Sequence, residues 1–184
     1  RLESEGAALI DFSRGNPTEQ GILFPAEVLI EAYRDYFSDR KYVPDPQGAY
    51  VAREAIAKFY AEKQCPDLSD PDRIFITAST SESYALLLSL LCDPGDNILV
   101  PSPSYPLFDL LAENARLQLR HYKLIEQNSH WSIDIDSMVR NADEKTRAIF
   151  MVSPHNPTGL IIEESSTQIS NLNLPLISDE VFGE

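Results

Sequence analysis

Apolar residues recur along the first third of the chain at helical spacing. Over residues 26–39 and 48–63 they return every three or four positions, as they do along one face of an α-helix. The stretch between them, RKYVPDPQG, contains two prolines and a glycine, which are typical of a loop. The pattern therefore predicts two helices joined by an irregular connection.

Further along, the apolar positions come in short runs that are rich in β-branched and aromatic residues and bounded by turn residues. Five runs predict strands: 73–77, 97–101, 117–122, 147–153 and 175–178. Helical stretches lie between several of them, most clearly 81–92 and 105–114, and residues 131–146 fit a brief extended piece followed by a short helix. Alternating strands and helices predict an α/β fold with three αβα layers and a mostly parallel sheet.

Composition and charge narrow the classes of partner. The 184 residues are 43% hydrophobic and 24% charged, which suits one domain with a substantial core. The net charge of −14 comes from 29 acidic and 15 basic residues without a basic cluster, so nucleic acid and anionic membranes are unfavourable partners. No apolar run reaches the roughly 20 residues of a membrane helix. We expect a cytoplasmic protein that binds a small molecule.

Three hydroxyl residues, Ser79, Thr80 and Ser81, follow the first predicted strand, where a helix begins. The free N–H groups and the positive dipole end of a helix suit a phosphate, but serine and threonine are also preferred N-caps. From these residues alone, phosphate binding and helix capping both remain open interpretations. No glycine fingerprint of a dinucleotide site or P-loop occurs.

Polar or aromatic residues also follow the later strands. Tyr105 stands after the second strand, where its ring could stack on a planar ligand or pack against the sheet. Asn156 lies in PHNPTG, where Pro157 restricts its backbone and directs its amide, although these residues also suit a plain turn. His155 in the same loop is expected at the surface. Asp179 ends the last strand, at the sheet edge where α/β proteins bind ligands.

The motifs ASTSES, PSPSYP, SPHNPTG and ISDEVF, in this order, resemble those of pyridoxal-phosphate-dependent aminotransferases of fold type I, the class I/II group. The resemblance runs from DFSRGNPTEQG to the last residue. It implies an N-terminal segment and first helix over residues 1–47 and a partial cofactor-binding large domain over residues 48–184, incomplete at its C-terminus. It also implies pyridoxal 5'-phosphate, an amino acid and a 2-oxo acid as substrates, and a homodimer.

The resemblance also implies roles for particular residues. Residues 79–81 match the turn that holds the cofactor phosphate, and Tyr105 matches the aromatic residue that stacks on the pyridine ring. Asn156 matches the residue that hydrogen-bonds the phenolic oxygen of the cofactor. Asp179 matches the carboxylate that pairs with the pyridinium nitrogen and keeps it protonated.

Four further matches are looser. Tyr42 resembles a tyrosine that reaches the partner subunit's cofactor phosphate, although a loop aromatic packed under the second helix is the alternative. Gly15 and Asn16 resemble the segment that lines the substrate pocket, and a simple turn is the competing interpretation. Phe182 stands where many members have a tyrosine that bonds the phenolic oxygen, so we expect that bond to be lost.

The family's chemistry depends on a lysine that forms a Schiff base with the cofactor. None of the five lysines matches its motif: Lys41, Lys58, Lys63, Lys123 and Lys145. The sequence therefore predicts a truncated aminotransferase without its catalytic lysine and with little or no activity alone. A lyase or synthase of the same fold, and a non-catalytic domain that binds a cofactor or partner, are the alternatives.

Overall fold

A computed structural model describes residues 16–162, residue 169 and residues 171–183. Contacts divide the chain into two units, Arg1–Pro46 and Gln47–Glu184. The described part of the first unit contains a short 3-10 helix, Pro17–Gln20, and helix α1, Ala26–Asp39. Helix α1 has the bounds that its apolar spacing predicts.

The second unit alternates strands and helices. Its helices are α2 (Tyr50–Glu62), α3 (Thr80–Leu91), α4 (Leu107–Ala115) and α5 (Ile135–Asn141). Its strands are β1 (Asn97–Ser102), β2 (Gln118–Gln127), β3 (His130–Ile133), β4 (Thr146–Val152) and β5 (Leu176–Asp179). Four of the five predicted strands are therefore confirmed, and the brief extended piece before α5 is β3.

The strands form one sheet in the order β3-β2-β1-β4-β5. Strand β1 pairs in parallel with β2 and β4, and β4 pairs in parallel with β5. The β2–β3 hairpin is antiparallel. The predicted α/β fold with a mostly parallel sheet is confirmed.

The core lies on both faces of the sheet. On one face, Ile98 and Val100 of β1 belong to a cluster with Leu88 of α3 and Phe108 of α4. On the other face, Leu99 belongs to a cluster with residues that include Met138 of α5. Because successive residues of β1 are buried on opposite faces, the strand reads as a continuous apolar run, as strands covered by helices on both sides do.

The predicted strand 73–77 is wrong. Arg73 ends a 3-10 helix, Pro71–Arg73, and although Ile74 has extended backbone, residues 74–77 belong to no strand of the five-stranded sheet. A strand needs a neighbouring strand, whereas the N–H of Ile76 donates to the carbonyl of a loop residue, Gln47, at 2.8 Å. The apolar run therefore lacks the neighbouring strand that a strand requires.

Candidate active site

A cavity of about 240 Å³ opens at the carboxyl ends of β4 and β5, beside the first turns of α3 and α4. Ten residues line it: Thr80, Tyr84, Tyr105, Leu107, Phe108, Val152, Asn156, Asp179, Val181 and Phe182. Five of these, Thr80, Tyr105, Asn156, Asp179 and Phe182, are residues that the sequence proposes for a cofactor. Residues up to about 100 positions apart in sequence thus meet at one end of the sheet.

The pairing of β4 with β5 places the acid of the cavity. Asp179 lies opposite Val152 in the parallel register, and its carbonyl accepts a hydrogen bond from the N–H of Ser153 at 2.9 Å. Ser153 begins the loop that carries Asn156. The carboxylate and the amide therefore come from neighbouring strand ends.

The carboxylate of Asp179 is held by two donors. The hydroxyl of Tyr84 donates to Oδ2, and the N–H of Val181 donates to Oδ1 at 3.0 Å. Burial, and then the adjacent Asp179 carboxylate, raise the pKa of Tyr84 far above its usual value. The phenol therefore stays protonated and acts as a hydrogen-bond donor.

Tyr84 is a cavity residue that the motif reasoning missed. A signal for it exists in the sequence, because Tyr84 stands four residues after Thr80 and so lies on the same face of α3. The tyrosine is also followed by an apolar run, ALLLSLL, in which its hydroxyl needs a partner. The identity of that partner could not be read from the helix.

The first turn of α3 contains a helix cap. The Oγ of Ser79 accepts a hydrogen bond from the N–H of Glu82 at 3.3 Å, and the Glu82 carboxylate accepts from the N–H of Ala78 at 2.5 Å. Capping is thus what the Ser79 hydroxyl does in this structure. Thr80 lines the cavity, whereas Ser81 is half-buried and is not among the lining residues.

Two residues that the sequence predicts to contact the cofactor, Tyr105 and Asn156, lie on loops that line the cavity. The side chain of Tyr105 is half exposed, so its ring is not fully packed against the sheet. Asn156 is partly buried, and among the residues that the structure describes its side-chain amide has no hydrogen-bond partner. Both groups are therefore available to a ligand. Phe182 lines the cavity with an apolar ring and offers no hydroxyl.

The expectation that His155 lies at the surface is wrong, since the residue is only 3% exposed. Its loop folds back on itself, with the N–H of His155 donating to Leu160 and the N–H of Gly159 donating to His155. The ring Nδ1 lies 2.9 Å from Oγ1 of Thr158. Burial lowers the pKa of His155, although the nearby Pro103 carbonyl opposes this effect.

Of the three remaining predicted residues, Tyr42 and Asn16 are described by the structure and are not among the residues that line the cavity. Tyr42 is 90% exposed. Asn16 caps the 3-10 helix Pro17–Gln20, with its Oδ1 accepting from the N–H of Thr18 at 3.1 Å, which is the turn interpretation. Gly15 lies outside the described residues. The roles assigned to these three residues stay predictions.

None of the residues that line the cavity is a lysine. Lys58, Lys123 and Lys145 are exposed, and the ammonium of Lys63 lies 4.8 Å from the centre of the Phe59 ring. Among the described residues, no helix is long and apolar enough to cross a membrane, and no group of three or more potential ligands could hold a metal ion. The cavity thus offers one carboxylate, one amide, three hydroxyls and aromatic faces.

A sequence profile of one family, described as aminotransferase class I and II, matches residues 7–184. Glutamate-pyruvate aminotransferase AlaA of Haemophilus influenzae is 31% identical over 187 residues, which cover 99% of this chain and 46% of that protein. Tyrosine aminotransferase of Homo sapiens is 30% identical over 184 residues, which cover 96% of this chain and 40% of that protein.

Among solved structures, an alanine aminotransferase from Pyrococcus furiosus matches this fold with a TM-score of 0.80 and 33% sequence identity. The match covers 98% of this chain and 47% of that one. The chain therefore spans less than half the length of these relatives.

Proposed function

The chain belongs to the class I and II aminotransferases, and from that premise we propose that its cavity binds pyridoxal 5'-phosphate for amino-group transfer. The transfer would run between an amino acid and a 2-oxo acid. The observation that carries the proposal is the Asp179 carboxylate, which lines the cavity with both oxygens held by donors from the protein.

Asp179 suits the protonated nitrogen of a pyridine ring. A fixed carboxylate beside that nitrogen favours its charged form, because an opposite charge within hydrogen-bond distance stabilises the proton. When bound, the cofactor supplies an electron sink for the negative charge that develops at the α-carbon of the substrate. The role proposed for Asp179 is to keep the ring nitrogen protonated.

The other cavity residues fit the rest of the same molecule. The hydroxyl of Thr80 and the N–H groups of Thr80 and Ser81 suit the phosphate, because the first N–H groups of a helix have no acceptor within it, and Ser79 caps only the N–H of Glu82. Tyr105 would offer an aromatic face to the ring, and the amide of Asn156, which has no partner among the described residues, would offer a donor to the phenolic oxygen. Phe182 would offer the bound cofactor an apolar ring and no hydrogen-bond donor.

Amino transfer also needs a base that moves a proton at the substrate α-carbon. No lysine lines the cavity, and the buried phenol of Tyr84 holds its proton too tightly for this task. We therefore propose that the base comes from outside the cavity-lining residues. The prediction of little or no activity by these 184 residues alone follows from this arrangement.

The finer assignments are proposals of the same kind. The relatives are named for glutamate and pyruvate, tyrosine, and alanine, so the substrate proposed here is the class of amino acids and 2-oxo acids. We also propose a homodimer in which the exposed Tyr42 reaches the cofactor phosphate of the partner subunit. We propose that Asn16 borders the substrate. The cytoplasmic location stays a prediction.

Binding of pyridoxamine 5'-phosphate tests the proposal directly. This form of the cofactor has an amine in place of the aldehyde, so it cannot react with surface lysines. We expect Asp179→Asn to weaken its binding by about tenfold or more, because the variant loses a charge-assisted hydrogen bond to the ring. Isothermal titration calorimetry of the wild-type chain and the variant measures the difference.

Asp136→Asn is the matched control, since Asp136 is an exposed acid in the first turn of α5 and is not a cavity residue. This variant should bind pyridoxamine 5'-phosphate as the wild-type chain does. Equal affinities for all three proteins, or an equal loss in both variants, would show that Asp179 does not contact the ring.

A further inference from the structure

We propose that Tyr84 is a positioning residue for Asp179: its hydroxyl holds the carboxylate in the orientation that receives a ring cation in the cavity. The inference rests on the proposed function, because it names the residue that prepares Asp179 for the cofactor. Three features of the structure support it: the fixed ring of Tyr84, the fixed plane of the carboxylate, and the hydroxyl itself.

The ring of Tyr84 is fixed by aromatic packing. Its centre lies 5.5 Å from that of Phe108 and 5.4 Å from that of Phe150, and the two phenylalanine rings are 5.5 Å apart. The three rings form a closed triangle with interplanar angles between 52° and 68°, which are favourable edge-to-face and tilted arrangements. Tyr84 is 5% exposed, so its hydroxyl has little freedom to move.

The carboxylate of Asp179 is fixed in its plane because each oxygen receives one hydrogen bond. One donor is the Tyr84 hydroxyl and the other is the N–H of Val181. An ionised carboxylate has about four acceptor sites, so these two bonds leave sites for a further donor in the cavity. A rigid acceptor of this kind needs no rearrangement when a charged ring arrives.

The hydroxyl is the group that distinguishes this role from core packing. A phenylalanine at position 84 would complete the same aromatic triangle, and a phenol in an apolar cluster costs free energy unless its oxygen is paired. Here the pairing is with the acid of the cavity. Tyr84 is therefore matched to Asp179 rather than to the core alone.

The direction of the hydrogen bond shows that Tyr84 acts as a donor to Asp179 and not as a proton-transfer group. Since burial and the neighbouring carboxylate both raise the pKa of Tyr84, the proton stays on the phenol oxygen at neutral pH. Tyr84 thus donates to Asp179 without exchanging a proton with a substrate. It acts through Asp179 and takes no proton from the reacting carbon.

A double-mutant cycle separates positioning from packing. We expect Tyr84→Phe to weaken binding of pyridoxamine 5'-phosphate by about fivefold in the wild-type background. In the Asp179→Asn background the same substitution should change the affinity by less than about twofold, because the carboxylate that it positions is gone. Equal losses in both backgrounds, or tighter binding by Tyr84→Phe, would overturn the proposal.

Tyr122→Phe is the matched control for the loss of a buried hydroxyl. Tyr122 is fully buried, and its hydroxyl donates to the backbone carbonyl of Phe150 at 2.9 Å. It belongs to the core cluster on the other face of the sheet and does not line the cavity. This variant should bind pyridoxamine 5'-phosphate with unchanged affinity, and a loss as large as that of Tyr84→Phe would contradict the positioning role.

Proton NMR of the free protein distinguishes failure of this inference from failure of the proposed function. A hydroxyl proton shared with a carboxylate should resonate far downfield, vanish in Tyr84→Phe and move upfield in Asp179→Asn. If the wild-type chain does not bind pyridoxamine 5'-phosphate, the proposed function is contradicted, and the hydroxyl signal still decides the pairing. A signal that is unchanged in Asp179→Asn would overturn the pairing itself.

Discussion

Asp179 and Tyr84 show what the sequence can and cannot predict about a single residue. The acid at the end of an apolar run was identified from the pattern, because strand ends are where α/β proteins bind ligands. Its partner lies 95 residues earlier, on a helix that packs on the same face of the sheet. No local spacing encodes such a contact, so the pairing of Tyr84 with Asp179 could be found only from the three-dimensional structure, although its position four residues after Thr80 places Tyr84 on the cavity side of α3.

The sequence wrongly predicts His155 at the surface for a related reason. Proline and glycine around it indicate a loop, and loops usually lie on the surface. This loop instead folds over its own histidine, through the hydrogen bonds of His155 with Leu160 and Gly159. Side-chain burial in a loop depends on what the loop packs against, which sequence patterns do not report.

The burial of His155 predicts a pH dependence of stability. Its pKa in the folded protein is lowered by burial, so the unfolded chain takes up a proton first as the pH falls below about 6.5. The stabilisation is therefore complete above that pH and is lost as the pH falls toward the folded-state pKa. In urea unfolding between pH 7 and pH 5, His155→Gln should lose less free energy of unfolding than the wild-type chain.

His121→Gln serves as the control for this experiment, because His121 is exposed. It should keep the pH dependence of the wild-type chain. If His155→Gln and His121→Gln show the same slope as the wild-type chain, His155 does not titrate differently in the folded and unfolded states.

At the scale of elements, periodicity predicted the helices better than the strands. Helix α1 agrees with its expected bounds, and α3 begins one residue early, at Thr80, because Ser79 is its cap. The run 73–77 failed as a strand because strand formation depends on a neighbour and helix formation does not. Its Ile76 instead packs against Gly48, at the turn that precedes α2.

The contact with Ile76 requires a residue without a Cβ at position 48, and this requirement gives a prediction for stability. It has φ of +93°, and an added Cβ would lie 2.7 Å from Cβ of Ile76. Gly48→Ala should therefore suffer both backbone strain, about 1 kcal/mol, and overpacking, about 1–3 kcal/mol. Urea unfolding at constant pH measures the loss of free energy.

Gly95→Ala is the control that separates these two costs. Gly95 has nearly the same φ, +95°, but an added Cβ would have no atom within 4 Å. Gly95→Ala should lose only the free energy of unfolding that backbone strain accounts for. Equal destabilisation of the two variants would show that the contact with Ile76 is not tight.

At the scale of the whole molecule, the fold class could be predicted but the order of the strands could not. Alternating strand and helix patterns predict parallel pairing, yet β1 lies between β2 and β4, with β5 beyond β4. This order brings β4 and β5 together and so places Asn156 near Asp179. The motifs identified these residues as a set, and the sheet explains why five of the predicted cofactor residues share one cavity.

The crystal structure of the chain with pyridoxamine 5'-phosphate is the measurement that tests the account most directly. We expect the ring to lie in the cavity, with its nitrogen within hydrogen-bond distance of the Asp179 carboxylate and its phosphate at the first turn of α3. The hydroxyl of Tyr84 should remain on Asp179. A ligand bound elsewhere, or bound with its phosphate beside Asp179, would contradict the proposed site.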